Sequence, residues 1–246
     1  MELECAGCSH IGRRKNNEDN MLIKPELGLF AVADGMGGYE GGEVASRIVV
    51  ETLLSFFELN DGDVEVTWPV GLNHALSFVE NLVSVGLQLA NREVIKRKTG
   101  PLSAMGSTAV VIALQRGRVV VGHVGDSRVY RLREHRLEQL TEDHSLMAEL
   151  RRQGVEKLPG EQFAHIITRA VGIRADVGPE VRSEAVREGD VYLLCSDGLT
   201  DPLDDEAIAR TLRRLPPAGA CRSLVEQALE AGGTDNITAV VVSIGR

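Results

Sequence analysis

The segment from residue 107 to residue 132 most constrains the fold, because it contains three strand-like runs joined by two very short connections. These runs are rich in β-branched residues: Ser107 to Leu114, Arg118 to His123 and Ser127 to Leu132. The connections, at residues 115–117 and 125–126, leave room only for tight turns. Strands joined in this way pair antiparallel, so the sequence predicts antiparallel sheet.

Apolar periodicity places helices and further strands around this segment. Helices are predicted at residues 43–59, 72–98, 145–152, 204–215 and 218–231, and short strands at residues 3–9, 20–24, 27–33, 191–195 and 237–244. No internal repeat or interdomain linker is visible. We therefore expect one α+β domain over residues 1–246, with helices packed outside antiparallel sheets.

The charge of the chain limits its partners. It has 36 Asp and Glu residues against 27 Lys and Arg residues, a formal net charge of -9. This balance argues against nucleic-acid or anionic-membrane binding driven by phosphate neutralisation. No apolar run approaches the ~20 residues that span a bilayer, and the acidic start lacks the basic region of a signal peptide. We expect a cytoplasmic protein.

The four cysteines include a CxxC pair, Cys5 and Cys8. No second Cys or His pair follows at the spacing of a zinc site. A structural role is favoured, and a redox or metal role stays open as the alternative.

Acidic residues recur at the ends of predicted strands, next to glycines or small polar residues. Asp34, Asp126 and Asp197 have this context, and Asp235 and the pair Glu18–Asp19 precede strands. A single Asp in a turn is usually a local cap. Several together would repel one another unless positive charge lies between them. Oxygen ligands without Cys or His suit Mg²⁺ or Mn²⁺, and a bridging carboxylate could hold two such ions ~3.5–4 Å apart.

Six motifs in order carry a resemblance to a family. They are Gly12-Arg-Arg-Lys-Asn-Asn-Glu-Asp19, Asp34-Gly-Met-Gly-Gly38, Gly106-Ser-Thr108, Gly125-Asp-Ser-Arg128, Ser196-Asp-Gly-Leu199 and Asp235-Asn236. Each alone is a weak signal. Because all six motifs occur in this order, the chain resembles, over residues 9–243, the type 2C metal-dependent serine/threonine protein phosphatases of the PPM family, bacterial type.

The resemblance implies a four-layer α-β-β-α sandwich, in which two antiparallel β-sheets are flanked by helices and a metal cleft lies at one edge. It also implies a flap beside the cleft, at approximately residues 141–178. In this flap Arg151, Arg152 and Lys157 could meet an acidic phosphopeptide, or could simply form a solvated helix face.

The same resemblance implies roles for individual residues. Asp34 corresponds to the carboxylate that bridges two Mn²⁺ or Mg²⁺ ions. Glu18 and the backbone carbonyl of Gly35 complete one ion, and Asp197 and Asp235 complete the other. The remaining assignments are a third, weaker metal site at Asp126 and Asp197, phosphate binding by Arg14, and orienting roles for Asp19 and Asn236.

The proton donor to the leaving group is the open point. Where animal-type members carry a histidine, this chain has Met36, which cannot donate a proton. A water on a third metal or a nearby histidine could serve instead. His144 is the possible proton donor to test, although a structural role is favoured for it, as for His123 and His10.

The resemblance predicts an enzyme, a Mg²⁺- or Mn²⁺-dependent phosphoric monoester hydrolase. A metal-bridging hydroxide would attack phosphoserine or phosphothreonine in line, with no covalent phosphoenzyme. The expected partners are phosphoproteins that a cognate Ser/Thr kinase phosphorylates, and the chain is expected to be a monomer. A non-catalytic pseudophosphatase regulator is the alternative; a metal-dependent nuclease is disfavoured by the net charge.

Overall fold

The computed structural model describes residues 2–38, 41–60, 68–155, 163 and 166–245. The elements in the first half are β1 (Leu3–His10), β2 (Asp19–Lys24), β3 (Leu29–Met36), α1 (Gly41–Leu59), α2 (Phe78–Arg97), β4 (Gly106–Ser107), β5 (Ala109–Gln115) and β6 (Arg118–Val124). Those in the second half are β7 (Arg128–Arg133), β8 (Arg136–Gln139), α3 (Leu146–Arg152), β9 (Glu180–Ala185), β10 (Val191–Cys195), α4 (Asp197–Thr200), α5 (Asp205–Arg214), α6 (Pro217–Glu230) and β11 (Ile237–Ile244).

The strands form two sheets whose neighbours pair antiparallel, as the sequence predicts. One sheet has the order β1-β11-β10-β7-β8, and the other has the order β2-β3-β5-β6-β9. The short strand β4 pairs with the end of β3, which places Ser107 opposite Gly35 and Gly106 opposite Met36.

Three apolar layers hold the sandwich together. Between the sheets lie residues such as Phe30, Ile112 and Tyr192. Side chains of α1 and α2 pack on the outer face of the β2–β9 sheet, and those of α5 and α6 pack on the outer face of the other. Because side chains alternate along a strand, each sheet serves two layers at once. The predicted α-β-β-α order is confirmed.

One predicted pairing is wrong. The short connection between β6 and β7 suggested a hairpin, but β6 pairs with β5 and β9 and β7 pairs with β10 and β8. The chain crosses from one sheet to the other at Gly125, whose φ is +103°. Length alone does not distinguish a hairpin turn from a crossing at the open edge of a sandwich.

Other boundaries differ from the prediction for local reasons. Helix α2 begins at Phe78 rather than residue 72, because Ser77 and Glu80 form a capping box there. Strands β8 and β9 were not predicted. Both are edge strands with charged side chains, which gives them little apolar alternation.

The region of the predicted flap is described in part. Helix α3 begins after Ser145, whose side chain accepts a hydrogen bond from the Ala148 N–H. Lys157 lies outside the described residues, as do its neighbours through residue 162. Arg152 pairs with Glu142 at 3.0 Å on the surface. The flap and its role stay predictions.

Two further sequence features can be placed. None of the helices in the described ranges has both the length and the apolar character needed to cross a membrane. Cys5 packs with the layer between the sheets and Cys8 with the layer under α6. Because these two side chains lie on opposite faces of β1, the structural interpretation of the CxxC pair is favoured.

Candidate metal and phosphate site

The hairpin of β2 and β3 brings the first acids together. Asp19 lies opposite Asp34 in the register of these strands, and the Gly35 N–H donates to the Glu18 carbonyl at 3.2 Å. The Asp34 backbone is held from the next strands, since its N–H donates to the Thr108 hydroxyl (3.0 Å) and its carbonyl accepts from the Thr108 N–H (2.8 Å). Asp34 is thus fixed from both sides.

Glycines allow the chain to close tightly around Glu18. A Cβ on Gly42 would lie 2.6 Å from the Glu18 carboxylate carbon, and one on Gly35 would lie 2.0 Å from the Gly42 carbonyl oxygen. Gly42 is in the first turn of α1, and its N–H bonds the Glu18 carboxylate. Glu18 therefore lies at the N-terminus of α1, next to the Gly35 carbonyl region.

The second group of acids comes from the other sheet. Ser196, at the end of β10, donates its hydroxyl hydrogen to Oδ2 of Asp19 at 2.8 Å and accepts from the Thr238 N–H at 3.0 Å. Asp197 follows as the first residue of α4. A Cβ on Gly198 would lie 2.1 Å from the Asn236 carbonyl oxygen. Asp197 and Asp235 thereby lie in adjacent segments beside Asp19.

Asn236 ties the segment before Glu18 to this group. Its side-chain carbonyl accepts from the Glu18 N–H at 2.8 Å, and its amide donates to the carbonyls of Ile11 and Asn16, both at 2.9 Å. The same segment carries Arg14, whose guanidinium donates to Asp235 at 2.6 Å. The Arg14 side chain is 58% exposed, so it is accessible to a ligand from solvent.

Asp126 joins the site from the crossing between the sheets. The Thr108 hydroxyl that receives the Asp34 N–H also bonds the Ser127 hydroxyl at 2.7 Å. A Cβ on Gly125 would lie 2.7 Å from the Thr108 side chain. The crossing turn is therefore fixed to the strand end that bears Asp34.

The electrostatics show how closely the acids are gathered. Burial raises the pKa of Asp34 well above its usual range, and the charges of Asp19, Asp197, Asp126 and Asp235 raise it further. Burial and the Asp197 charge raise the pKa of Asp126 to about 7.

Two more carboxyls are affected. Burial raises the pKa of Asp19 to about 7, although hydrogen bonds from hydroxyl groups act to lower it. Burial also raises the pKa of Glu18, although the positive charge of Arg14 acts to lower it. These groups carry their negative charges together only when a cation joins them.

The donor set fits divalent cations. The groups are carboxylate and carbonyl oxygens, the ligands that Mg²⁺ and Mn²⁺ prefer. Oδ1 of Asp19 is buried with no hydrogen-bond partner among the described residues, so it can accept a further hydrogen bond.

His144 lies beneath the cleft. Its Nδ1 accepts from the Gly125 N–H at 3.1 Å, and its Nε2 lies 3.1 Å from Glu180. The ring is 1% exposed, and burial, with the nearby His123 and Arg169, lowers its pKa to about 4. A neutral, enclosed imidazole supports the Gly125–Asp126 turn. This geometry favours the structural role over proton donation.

The same histidine belongs to a second cluster of possible ligands. Ligand atoms of His123, His144 and Glu180 lie within 4.8 Å of one another. However, the Arg169 guanidinium donates to Glu180 at 2.9 Å and lies 3.3 Å from His144. A positive side chain therefore already fills this position, which is unfavourable for a metal ion.

Sequence reasoning missed the hydroxyl groups that hold the acids in place. Ser46 donates to the Glu18 carbonyl, Ser196 to Asp19, and Thr108 joins the turns of Asp34 and Asp126. Ser196 directly precedes Asp197, which was the available signal for it, whereas Thr108 was marked only by its place in the Gly106-Ser-Thr108 motif. Ser46 had none, because only the fold brings α1 to Glu18.

Two cavities meet at Arg14. A cleft of about 700 Å³ is lined by Arg14, Asp197, Asp201 and Asp235. A larger groove of about 1330 Å³ is lined by Arg14, Glu18 and Asn236 on the polar side, and it continues to Val44, Pro101 and Leu102. Arg14 is thus positioned to bind an anion that enters from either cavity.

Known proteins are similar to this chain in sequence and in fold. The chain is 34% identical over 235 residues to the serine/threonine protein phosphatase PstP of Mycobacterium tuberculosis, an alignment that covers 94% of this chain and 43% of that protein. It is 34% identical over 240 residues to the serine/threonine phosphatase stp of Listeria monocytogenes, covering 93% of this chain and 90% of that one.

A solved structure of the catalytic domain of PstP in complex with two manganese ions has a TM-score of 0.80, with 36% identity and 99% of both chains covered. The chain therefore spans less than half the length of full PstP and nearly all of its catalytic domain. Residues 6–231 match the family described as Protein phosphatase 2C. This match includes the segments that bear Arg14, Asp34, Asp126 and Asp197, and the chain belongs to the Protein phosphatase 2C family.

Proposed function

We propose that this chain hydrolyses phosphoserine and phosphothreonine on proteins and depends on divalent metal ions to do so. One observation carries the proposal: carboxyl groups from both sheets meet in one cleft, where burial and mutual repulsion raise the pKa values of Asp34, Asp126 and Asp19. A protein gains nothing in stability from such a group unless cations bind there. The adjacent Arg14 suits a phosphate ligand.

The proposed ligand assignments follow the family resemblance, and the gathering of these acids in one cleft supports them. Asp34 would bridge two Mn²⁺ or Mg²⁺ ions, Glu18 and the Gly35 carbonyl would complete one, and Asp197 and Asp235 would complete the other. Asp126, with Asp197, is the candidate for a third, weaker site. Ions held by these residues would neutralise phosphoryl charge and would lower the pKa of bound water, which is what hydrolysis at neutral pH requires.

The side chains of this chain would bind and orient the substrate. The Arg14 guanidinium presents paired N–H groups to two phosphate oxygens, a fork that lysine lacks. Its present partner, Asp235, is 34% exposed, and exposed ion pairs contribute only ~0–1 kcal/mol. Arg14 can therefore exchange Asp235 for phosphate at little cost. Asn236 holds the Arg14 segment against the cleft.

Protonation of the leaving serine or threonine oxygen needs a donor. Met36 cannot supply a proton, and the enclosed ring of His144 hydrogen-bonds Gly125 and Glu180. These observations favour water as the donor. The pseudophosphatase alternative is disfavoured because every ligand type that the family resemblance leads us to expect is present in this chain. The phosphoprotein substrates, a cognate kinase, the cytoplasmic location and the monomeric state stay predictions.

The test is release of phosphate from a phosphothreonine peptide in the presence of Mn²⁺. We expect hydrolysis that EDTA abolishes and that Asp34→Asn lowers at least about a hundredfold. Glu206→Gln, the same chemical change at an exposed position on α5, is the matched control and should leave the rate unchanged. Activity that survives both EDTA and Asp34→Asn contradicts the metal-dependent reaction. Absence of activity with every divalent ion tested favours the non-catalytic pseudophosphatase regulator.

A further inference from the structure

The groove beside Arg14 is larger than a phosphate needs. Its volume of about 1330 Å³ exceeds the ~300–1,000 Å³ typical of small-molecule pockets. A phosphoryl group and its serine or threonine would fill only the part that Arg14 and Glu18 line. The remainder is available to the residues that flank the phosphorylated one.

The groove has a polar part and an apolar part. Arg14, Glu18 and Asn236 belong to the candidate metal and phosphate site, and Lys15 and Asn16 complete this polar part. Val44, Pro101 and Leu102 are apolar, and Thr99, beside them, contributes no charge. A charged side chain placed against this second group would lose water without gaining a partner.

The apolar part is rigidly attached to the site. Residues 100–102 form a 3₁₀ turn that contains Pro101, and the Met105 N–H donates to the Leu102 carbonyl at 3.1 Å. Strand β4 follows at once and pairs with Gly35 and Met36 of β3. A Cβ on Gly37 would lie 2.6 Å from the Met105 Cα. The turn is therefore fixed relative to Asp34, and a preformed surface loses little entropy on binding.

We propose that Pro101, Leu102 and Val44 form a binding site for an apolar side chain that flanks the phosphorylated residue in an extended segment of the substrate protein. This inference rests on the proposed function and specifies its substrate class. The continuity of the groove with the phosphate site identifies the occupant, because a peptide whose phosphate is held by Arg14 can place a flanking side chain against Pro101 and Leu102. The other cavity at Arg14 contains three carboxyl groups, those of Asp197, Asp201 and Asp235, beside Pro202 and Ala231, and is therefore less suited to an apolar side chain.

The experiment compares three substrates at saturating Mn²⁺. They are p-nitrophenyl phosphate, which has no flanking residues, a phosphothreonine peptide with leucine on both sides of the phosphothreonine, and the same peptide with serine in those positions. We expect the wild-type protein to favour the leucine peptide about tenfold in kcat/KM, mainly through a lower KM. Equal values, or a preference for the serine peptide, overturn the proposal.

Two variants assign the preference to the groove. Pro101→Ser changes an exposed residue, and Leu102→Ser changes a half-buried one. Each should reduce the preference to about twofold or less while p-nitrophenyl phosphate turnover is unchanged. Leu59→Ser, at a side chain 78% exposed on the far end of α1, should retain the full preference.

If Leu102→Ser also slows p-nitrophenyl phosphate, the change has disturbed the metal site, and Pro101→Ser decides. A preference that persists in both variants overturns the assignment to this groove. Failure of the proposed function gives a different result, namely no metal-dependent turnover of any of the three substrates.

Discussion

At the scale of single residues, the site is defined by charges that the folded chain cannot hold alone. Asp34 is placed among four other acids, and its pKa is raised first by burial and then by their charges. Arg14 is a positively charged side chain that lines both cavities at the site. Metal dependence is proposed to rest on Asp34 and phosphate binding on Arg14, so substitutions at these two positions test each proposal.

Asp34→Asn should separate catalysis from stability. The amide keeps the shape of the carboxyl but removes one charge from a repelling group. In EDTA at pH 8 we expect the melting temperature to rise by about 3–6 °C, which corresponds to ~1–2 kcal/mol for a chain of this size. The Mn²⁺-dependent rise of the wild-type protein should be lost. Thermal unfolding with and without Mn²⁺ measures both effects; a variant less stable than wild type in EDTA contradicts the repulsion argument.

Arg14→Ala should lower kcat/KM for a phosphopeptide about 10²- to 10³-fold, since a donor to the transferring phosphoryl group is lost. Arg14→Lys should recover only part of this loss, because the ammonium group cannot bind two oxygens in parallel. The neighbouring exposed Arg13 provides the control, and Arg13→Ala should change kcat/KM less than twofold. Equal losses in Arg13→Ala and Arg14→Ala would contradict the assignment.

At the scale of elements, the acids are held in place by the strand ends and turns on which they lie. The crossing from β6 to β7 delivers Asp126, and the first turn of α1 receives Glu18. Both connections depend on contacts with elements distant in sequence. His144 and Gly42 are the residues whose replacement tests these contacts.

His144 supports the crossing through its Nδ1 atom, which accepts from the Gly125 N–H. His144→Leu leaves that buried N–H without an acceptor, at a cost of ~1–3 kcal/mol. His144→Asn can place its amide oxygen near the Nδ1 position and should recover part of the stability. Chemical denaturation measures the difference. A proton donor would instead be lost equally in both variants, with removal of the basic limb from the pH profile of kcat.

Gly42→Ala should weaken metal binding by displacing two of the proposed ligand groups. The added Cβ would lie 2.6 Å from the Glu18 carboxylate carbon and 2.7 Å from the Gly35 carbonyl carbon, so both the Glu18 side chain and the β3 backbone would have to move. We expect the affinity for Mn²⁺, measured by calorimetry, to fall about 10- to 100-fold, the usual effect of disturbing a supporting contact. Gly219→Ala in α6, where the nearest atom is 3.5 Å from the added Cβ, is the control. It should leave the affinity unchanged and raise stability by up to ~1 kcal/mol.

At the scale of the whole molecule, metal binding and pH are linked to stability. The pKa values of Asp126 and Asp19 are raised to about 7 in the folded chain, against ~3.9 for an unfolded Asp. Between pH ~4 and ~7 the unfolded chain releases protons that the folded chain retains. Stability without metal should therefore be greatest at low pH within this window and should fall as the pH rises through it.

Added Mn²⁺ should reverse this trend, because the ions compete with the retained protons for the same oxygens. At 100 times the dissociation constant, binding contributes ~2.7 kcal/mol, which corresponds to a melting temperature about 5–10 °C higher. The increase should be larger at pH 8 than at pH 5.5. Melting curves across this range in EDTA and in Mn²⁺ measure the effect, and stability that rises with pH in EDTA would contradict the pKa assignments.

Most strands and helices were predictable because their apolar periodicity is strong. β10 and β11 were predicted with the observed bounds. The edge strands β8 and β9 were missed because edges carry polar residues, and the start of α2 was missed because capping by Ser77 and Glu80 outweighs apolar spacing over residues 72–77. The acids of the site were identifiable as residues at or near the ends of predicted strands, and three of them, Asp34, Asp126 and Asp197, lie next to a glycine.

The sequence by itself determined which residues are present for chemistry: candidate oxygen ligands at strand ends, the arginine pair Arg13–Arg14 shortly before Glu18, and methionine in place of a proton donor. Residue types can be read directly from the sequence, and strand ends can be predicted from the pattern of neighbouring residues. Tertiary structure decided the rest. Only the antiparallel register sets Asp19 opposite Asp34, only the sheet crossing brings Asp126 to them, and only the packing of β4 on β3 extends the phosphate site into a groove. Such contacts join residues far apart in sequence, so they depend on how whole elements pack.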